Sequence, residues 1–141
     1  MSSTRKARET FRFSIRVYYE DTDAAGVVYY ANYLKYMERA RTEWLSSLGF
    51  RLADLEHLFG IVFVVHHVEI AYRRPARLGE ELDATLTLIE LHRARMVVVQ
   101  EVLRDALVFT SARVTLACLD RSNWRPMRIP TALHGRLESL L

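Results

Sequence analysis

Two aspartates, Asp21 and Asp23, stand two residues apart in a polar stretch, Glu20, Asp21, Thr22, Asp23, that leads shortly into an amphipathic helical pattern. Carboxylates placed there have a definite chemistry open to them. The start of a helix carries backbone N–H groups without intrahelical acceptors and the positive end of the helix dipole. Such donors hold a carbonyl oxygen that gains negative charge as its carbon is attacked. A carboxylate just upstream either attacks that carbon itself or takes a proton from a water beside it. Like-charge repulsion and burial would favour a retained proton within the pair, although spacing does not say which residue is buried. An architectural role, in which both side chains simply fold the loop, explains the same residues equally well. Residue types alone leave that choice open.

Other chemistries find less support. The five histidines, His57, His66, His67, His92 and His134, form no H-E-x-x-H or comparable spacing, so no metal is expected. His66 and His67 are adjacent, and in a regular strand at most one of them looks inward. There is no Gly-rich phosphate loop, no G-x-S-x-G elbow, and no motif that pairs the single cysteine, Cys118, with a histidine. A lone cysteine rules out an internal disulfide and a thiolate cluster, and Cys118 reads as a small apolar residue packed in a strand. No apolar run approaches the length of a membrane span, and residues 1–10 are polar and basic, so a cytoplasmic protein without membrane insertion is expected. Twenty basic residues against 17 acidic ones leave a net charge of only +3, scattered along the chain, which argues against a nucleic-acid partner.

The carboxylate pair must be positioned by what flanks it. Phe11, Phe13, Ile15, Val17 and Tyr19 alternate with polar residues and Tyr18, which predicts a half-buried strand over 11–19 and a loop over 20–28. The period changes over 30–48, where Lys35, Glu38, Arg39, Thr42, Glu43 and Ser46 share one helical face and Tyr33, Leu34, Met37, Ala40, Trp44, Leu45 and Leu48 the other. Gly49 ends that helix. A shorter helix is predicted over 52–59, strands over 61–72, 82–91, 95–104 and 107–119, and a last short helix over 131–141. With 141 residues, half of them hydrophobic, the chain supports one domain over 11–141 behind a mobile leader over 1–10, with no room for a separate cofactor domain. A first strand, one long helix and a four-stranded meander bury their apolar faces by wrapping sheet around helix, an α+β architecture.

The run from Arg16 to Leu48 carries a further signal. Tyr19, Glu20, Asp21, Thr22 and Asp23, then Gly26, Val27, Val28 and Tyr29, then Ala31, Asn32 and Tyr33, and finally Glu38, Arg39, Ala40, Arg41, Thr42 and Glu43 follow one another without a gap. This run resembles the signature of the hotdog-fold 4-hydroxybenzoyl-CoA thioesterase-like family, and more closely its Tol-Pal-associated acyl-CoA thioesterase branch. Weaker similarity passes through Ala71, Tyr72 and Pro75 to Leu78 and reaches the stretch from Arg125 to Pro130. The resemblance implies an antiparallel sheet, β-α-β-β-β-β, wrapped around one long helix, hydrolysis of an acyl-CoA to free acid and CoA, no cofactor, and a homodimer or homotetramer. By position it implies that Asp23 is the essential carboxylate, as nucleophile or general base, with Asp21 in support. It further implies that the backbone N–H of Tyr30 polarises the thioester carbonyl and that Gly26, Val27 and Val28 border the substrate. The turn of His92, Arg93, Ala94 and Arg95 matches a basic turn near the CoA phosphates, which Arg93 and Arg95 can pair with, although exposed arginines in an ordinary hairpin read the same way.

A thiolate leaving group, whose conjugate acid has a pKa of about 8.5, needs no strong general acid, so the lack of a catalytic histidine is tolerable. Many members of the closest branch have histidine at the position of Tyr30; the amide survives that change and the imidazole does not, so acyl preference does not carry over. Two rivals stand beside this reading. One is hydration or dehydration of an acyl thioester, which needs His66 or His67 to reach Asp23. The other is a non-catalytic acyl-thioester-binding or scaffold protein that partners acyl carrier protein or an envelope-assembly complex.

Overall fold

Alternating apolar residues build the strands and a single apolar stripe builds the long helix. The computed structural model describes residues 8–141 as β1 (Thr10–Arg16), a 3-10 turn (Tyr19–Asp21), α1 (Asn32–Ser47), α2 (Leu52–Phe59), β2 (Ile61–Tyr72), β3 (Glu81–Leu91), β4 (Arg95–Arg104), β5 (Leu107–Asp120) and α3 (Thr131–Glu138). Most of the leader expected over 1–10 lies outside the described residues, and Thr10 already belongs to β1. The five strands form one antiparallel sheet in the order β1-β3-β4-β5-β2, the hotdog arrangement of sheet around helix.

One expectation is corrected by this order. The strands after the helix are not a four-stranded meander, because β2 pairs with β5 and only β3, β4 and β5 follow one another. Three strand spacings of roughly 4.8 Å separate β2 from β3, and the eight-residue link 73–80 is long enough to cross that gap, at up to ~3.5 Å per residue. It crosses past the loop that precedes α1, where Val28 N–H donates to Ala76 O (2.7 Å) and Val27 bridges Arg77. The crossover therefore brings residues 74–77 to the candidate site.

Tyr33, Tyr36, Met37, Ala40 and Trp44 form the buried stripe of α1 at intervals of three and four residues. Leu34, expected on this face, stands outside the stripe and is exposed, whereas Tyr36 is fully buried. The facing layer comes from alternate strand residues, among them Leu82, Ala84, Leu86 and Leu88 of β3, Met96, Val98 and Val102 of β4, and Val114 and Leu116 of β5. Each large aliphatic side chain buried in this way contributes about 1.5–3 kcal/mol. Gln100, wholly buried in the same row of β4, donates to Met37 O (2.9 Å) and accepts from Arg41 (3.0 Å), so the one amide in that layer fixes where α1 sits along the sheet.

Two further boundaries move. β1 ends at Arg16 rather than near 19, since Val17 turns in to bond Glu80 and Tyr19 begins the 3-10 turn. The helix starts at Asn32, not 30, which leaves Tyr30 in the turn before it. In β2 a bulge between Val65 and His67 breaks the alternation that would have sent the two histidines to opposite faces, and both are exposed. His67 pairs with Glu69 at 3.3 Å.

Candidate active site

The loop between β1 and α1 is short on apolar residues and is held by hydrogen bonds. Asp21, only 5% exposed, accepts the Tyr18 N–H on its carboxylate (2.9 Å), closing the 3-10 turn over its own side chain. Its carbonyl accepts two more bonds, from the Tyr29 N–H (2.9 Å) and from the side-chain amide of buried Asn32 (2.7 Å). The Tyr36 hydroxyl is fully buried and directed at the same carboxylate. Burial, reinforced by the Asp21 charge, raises that phenol far above its ordinary range, so it remains a neutral O–H. Of the two aspartates, Asp21 is thus the architectural one.

Asp23 is the other kind. It lies exposed at the head of a tight turn, in which its carbonyl accepts the Gly26 N–H (3.0 Å) and one carboxylate oxygen accepts the Ala25 N–H (2.8 Å). Its own N–H donates to Val27 O (2.9 Å). Gly26 has φ +80°, a left-handed conformation that side chains disfavour, and a Cβ there would meet nothing within 4 Å. Glycine is required by the turn and not by crowding. The remaining oxygen of Asp23 has no bond to any described residue.

The helix mouth supplies the donors. The first amides of α1 are already used, Asn32 N–H to Tyr29 O (2.8 Å), Tyr33 N–H to Tyr30 O (3.3 Å) and Leu34 N–H to Ala31 O (3.2 Å). The Tyr29 amide is taken by Asp21. Among the described residues the amides of Tyr30 and Ala31 alone in this stretch have no acceptor. The resemblance points to the Tyr30 amide; nothing in the sequence distinguishes Ala31, whose open amide follows from the bonding of its neighbours.

Beside these amides lies a hollow of about 230 Å³ lined by Val28, Tyr30, Tyr33, Tyr72, Arg73, Arg74 and Pro75. Tyr30 meets Tyr72 edge-on, with ring centroids 5.7 Å apart, and Tyr33 meets Tyr72 at 5.8 Å. The Tyr33 hydroxyl accepts the Ala76 N–H (3.0 Å), which ties the crossover to the helix. Burial raises the pKa of both Tyr33 and Tyr72, so both rings present neutral hydroxyls. Tyr72 and the two arginines reach the site through the sheet order, and no local pattern announces them. A larger hollow, about 420 Å³, runs along β1 and β3, but it contains none of the predicted site residues and its Arg16 and Glu81 pair with each other.

Arg93 and Arg95 do not join this group. They sit in the β3–β4 turn, at the far end of a strand of 11 residues, roughly 33 Å from the end that meets the loop at ~3.3 Å per residue. The carboxy-terminal exit packs beneath that turn, with Ile129 N–H bonded to Arg93 O (2.9 Å) and Cys118 N–H to Ala94 O (2.8 Å). Arg93, Arg95, Arg125 and Arg128 are exposed at this end and have no ion pair among the described residues, while His92 pairs with Glu90 (3.2 Å). Among the described residues no three His, Cys, Asp or Glu side chains come together as metal ligands, and no helix is long and apolar enough to cross a membrane.

The profile of the thioesterase-like superfamily matches residues 17–137. The acyl-CoA thioesterase YbgC of Haemophilus influenzae is 40% identical over 130 residues, covering 92% of this chain and 96% of that protein. The crystal structure of a probable thioesterase from Bartonella henselae superposes with a TM-score of 0.82 at 35% identity, over 86% of this chain and all of that one. A 1,4-dihydroxy-2-naphthoyl-CoA thioesterase from Synechocystis superposes with a TM-score of 0.84 at 25% identity, over 94% of this chain and 98% of that one.

Proposed function

The chain belongs to the thioesterase-like superfamily and is an acyl-CoA thioesterase, and from that premise we propose that Asp23 is the carboxylate on which hydrolysis depends. The observation that carries this reading is that one loop holds both an exposed carboxylate with an open oxygen and, at the helix mouth, two backbone amides that have no acceptor among the described residues. The thioester carbonyl oxygen lies on the Tyr30 amide, with the Ala31 amide next to it. Asp23 either takes a proton from a water that adds to the carbonyl carbon or adds to that carbon itself. The tetrahedral adduct collapses with cleavage of the C–S bond, and CoA leaves as a thiolate that needs no strong acid. On the second route a mixed anhydride remains, and water cleaves it to the acid and regenerates the carboxylate.

Val28 and the tyrosines of the hollow receive the acyl group, with Gly26 and Val27 forming the rim. The strand length between the loop and the Arg93 turn, roughly 33 Å, exceeds the reach of one pantetheine arm, roughly 16 Å from sulfur to the first phosphate for about a dozen bonds. A second copy removes the difficulty. β2 is a 12-residue sheet edge with Val65 and Tyr72 exposed, and two-fold pairing of β2 with a partner's β2 runs antiparallel. That pairing sets the arginine end of one copy beside the Asp23 end of the other, where Arg93 and Arg95 meet the CoA phosphates. The chain accordingly works as a homodimer or homotetramer, in the cytoplasm where CoA thioesters are the substrate.

The arginines of the β3–β4 turn, which have no ion pair among the described residues, also favour a second reading, a non-catalytic acyl-thioester binder that partners acyl carrier protein. Thiol release over a panel of acyl-CoAs separates the two. Turnover that falls about 100-fold or more in Asp23→Asn, with the fold retained, supports the hydrolase. Binding without turnover in the unaltered chain supports the scaffold.

A further inference from the structure

Asn32 is buried in the first turn of α1, 7% exposed, where a polar side chain is costly unless it is bonded. Its side-chain amide makes one bond, to the Asp21 carbonyl (2.7 Å), across eleven residues of chain. The same carbonyl holds the Tyr29 N–H, and the Asn32 N–H holds the Tyr29 carbonyl. These three bonds form a closed ring through Asp21, Tyr29 and Asn32. On one side of the ring the chain continues to Asp23; on the other lie Tyr30 and Ala31, whose amides have no acceptor among the described residues while the amides on either side of them are used in the ring.

We propose that Asn32 is a positioning residue for hydrolysis. Through Asp21 it sets the distance between the Asp23 carboxylate and the open amides of Tyr30 and Ala31, without itself touching the substrate. The proposal rests on the reading of Asp23 given above. The physical warrant is the geometry of the clamp: among the described residues the two halves of the loop are joined by the bonds at the Asp21 carbonyl, the Asp23–Val27 pairing and the turn bonds from Ala25 and Gly26 to Asp23, and there is little apolar packing to replace them, since Asp23, Ala24, Ala25 and Gly26 are all exposed. A displacement of about 1 Å between a reacting group and its oxyanion donors is enough to lower turnover about 100-fold while leaving binding nearly unchanged.

The test uses Asn32→Asp in the full-length protein, because it keeps the size of the side chain and makes the donor depend on pH. An ionised aspartate has no proton to give the Asp21 carbonyl and repels it, whereas the protonated acid donates as the amide does. Steady-state kinetics between pH 8 and pH 5.5 should show kcat about 100-fold below the unaltered enzyme at the alkaline end, with KM within a few-fold, and a ratio of variant to unaltered kcat that climbs at least several-fold toward the acid end. A residue that only fills space would give a flat ratio, and a flat ratio overturns the proposal. If Asn32→Asp fails to fold, Asn32→Ser is used, and a loss confined to KM in that variant also overturns it. Asp23→Asn is run in parallel: if it remains active, the reading of the site and this proposal fall together, whereas an inactive Asp23→Asn beside a flat Asn32→Asp ratio removes the positioning role alone.

Discussion

The two ends of the sheet handle their polar groups in opposite ways. At the loop end the backbone is held by a set of hydrogen bonds, and within that frame one oxygen of Asp23 and the amides of Tyr30 and Ala31 have no partner among the described residues. At the far end the backbone is just as well bonded, yet four arginine side chains, Arg93, Arg95, Arg125 and Arg128, have no partner among the described residues. Leftover groups fixed by a bonded frame favour chemistry, which depends on placement to within tenths of an ångström. Leftover charges on long side chains favour attraction, which tolerates imprecise placement. On the proposed reading, the difference puts turnover at one end and affinity at the other.

The largest effect expected from this division lies within the loop. Asp23→Asn preserves size and the bond from Ala25, and should lower kcat by about 100-fold or more with little change in KM. Asp21→Asn removes a charge from a buried site that retains its carbonyl bonds, and should cost less in kcat and more in thermal stability. Measuring kcat and melting temperature for both variants checks the contrast. If the two losses in kcat are equal, the distinction between an architectural and a chemical aspartate is wrong.

A smaller effect, and one of the opposite kind, is expected at the arginine end. Arg93→Ala or Arg95→Ala removes a charge-assisted contact and should raise KM for acyl-CoA about 3- to 10-fold, with kcat held and with an acyl-pantetheine substrate unaffected. Equal losses on the two substrates would place these arginines away from the nucleotide. Since the reading requires a second copy, light scattering at micromolar concentration should show a dimer or tetramer. A stable monomer with full activity would leave the 33 Å gap unbridged and would end the two-fold account.

Much of this was legible beforehand, for identifiable reasons. The helix and strands follow from periods of 3.6 and 2 residues, which local burial imposes and the sequence displays. Asp23 and Tyr30 stand out in the sequence because their neighbours form an uninterrupted motif. The sheet order was not legible, because β2 could pair with β3 or β5 with the same alternation, so nothing in the pattern placed Arg73 and Arg74 beside the loop. The burial of Tyr36 in place of Leu34 turned on a shift of the apolar stripe that a tyrosine, with a polar end, does not advertise. Asn32 did leave a trace: it precedes Tyr36 and Ala40 at intervals of four, so a polar side chain there had to be buried and bonded.

The smallest expected effect asks whether the arginine end is as firmly built as its backbone bonds imply. Cys118 is the reporter, for it lies fully buried beneath the turn, with its N–H on Ala94 O and its carbonyl accepting the Met127 N–H (2.9 Å). Burial pushes its thiol up to about 11, from an ordinary value of 9.0. The native state therefore holds the proton more tightly than the unfolded state. That contribution to stability is fully present below pH 9 and is lost as pH rises toward 11, where the native thiol also ionises. A difference of this size corresponds to roughly 1–3 kcal/mol. Comparing the unaltered protein with Cys118→Ala in denaturant melts cancels the other titrating groups: the stability difference should be constant from pH 7 to pH 8.5 and shift against the cysteine protein by pH 10.5. Iodoacetamide should label native Cys118 only slowly at pH 8. Rapid labelling there, or a stability difference that ignores pH, would mean that the end opens readily, and the four arginines would then stand on a moving turn instead of a fixed one.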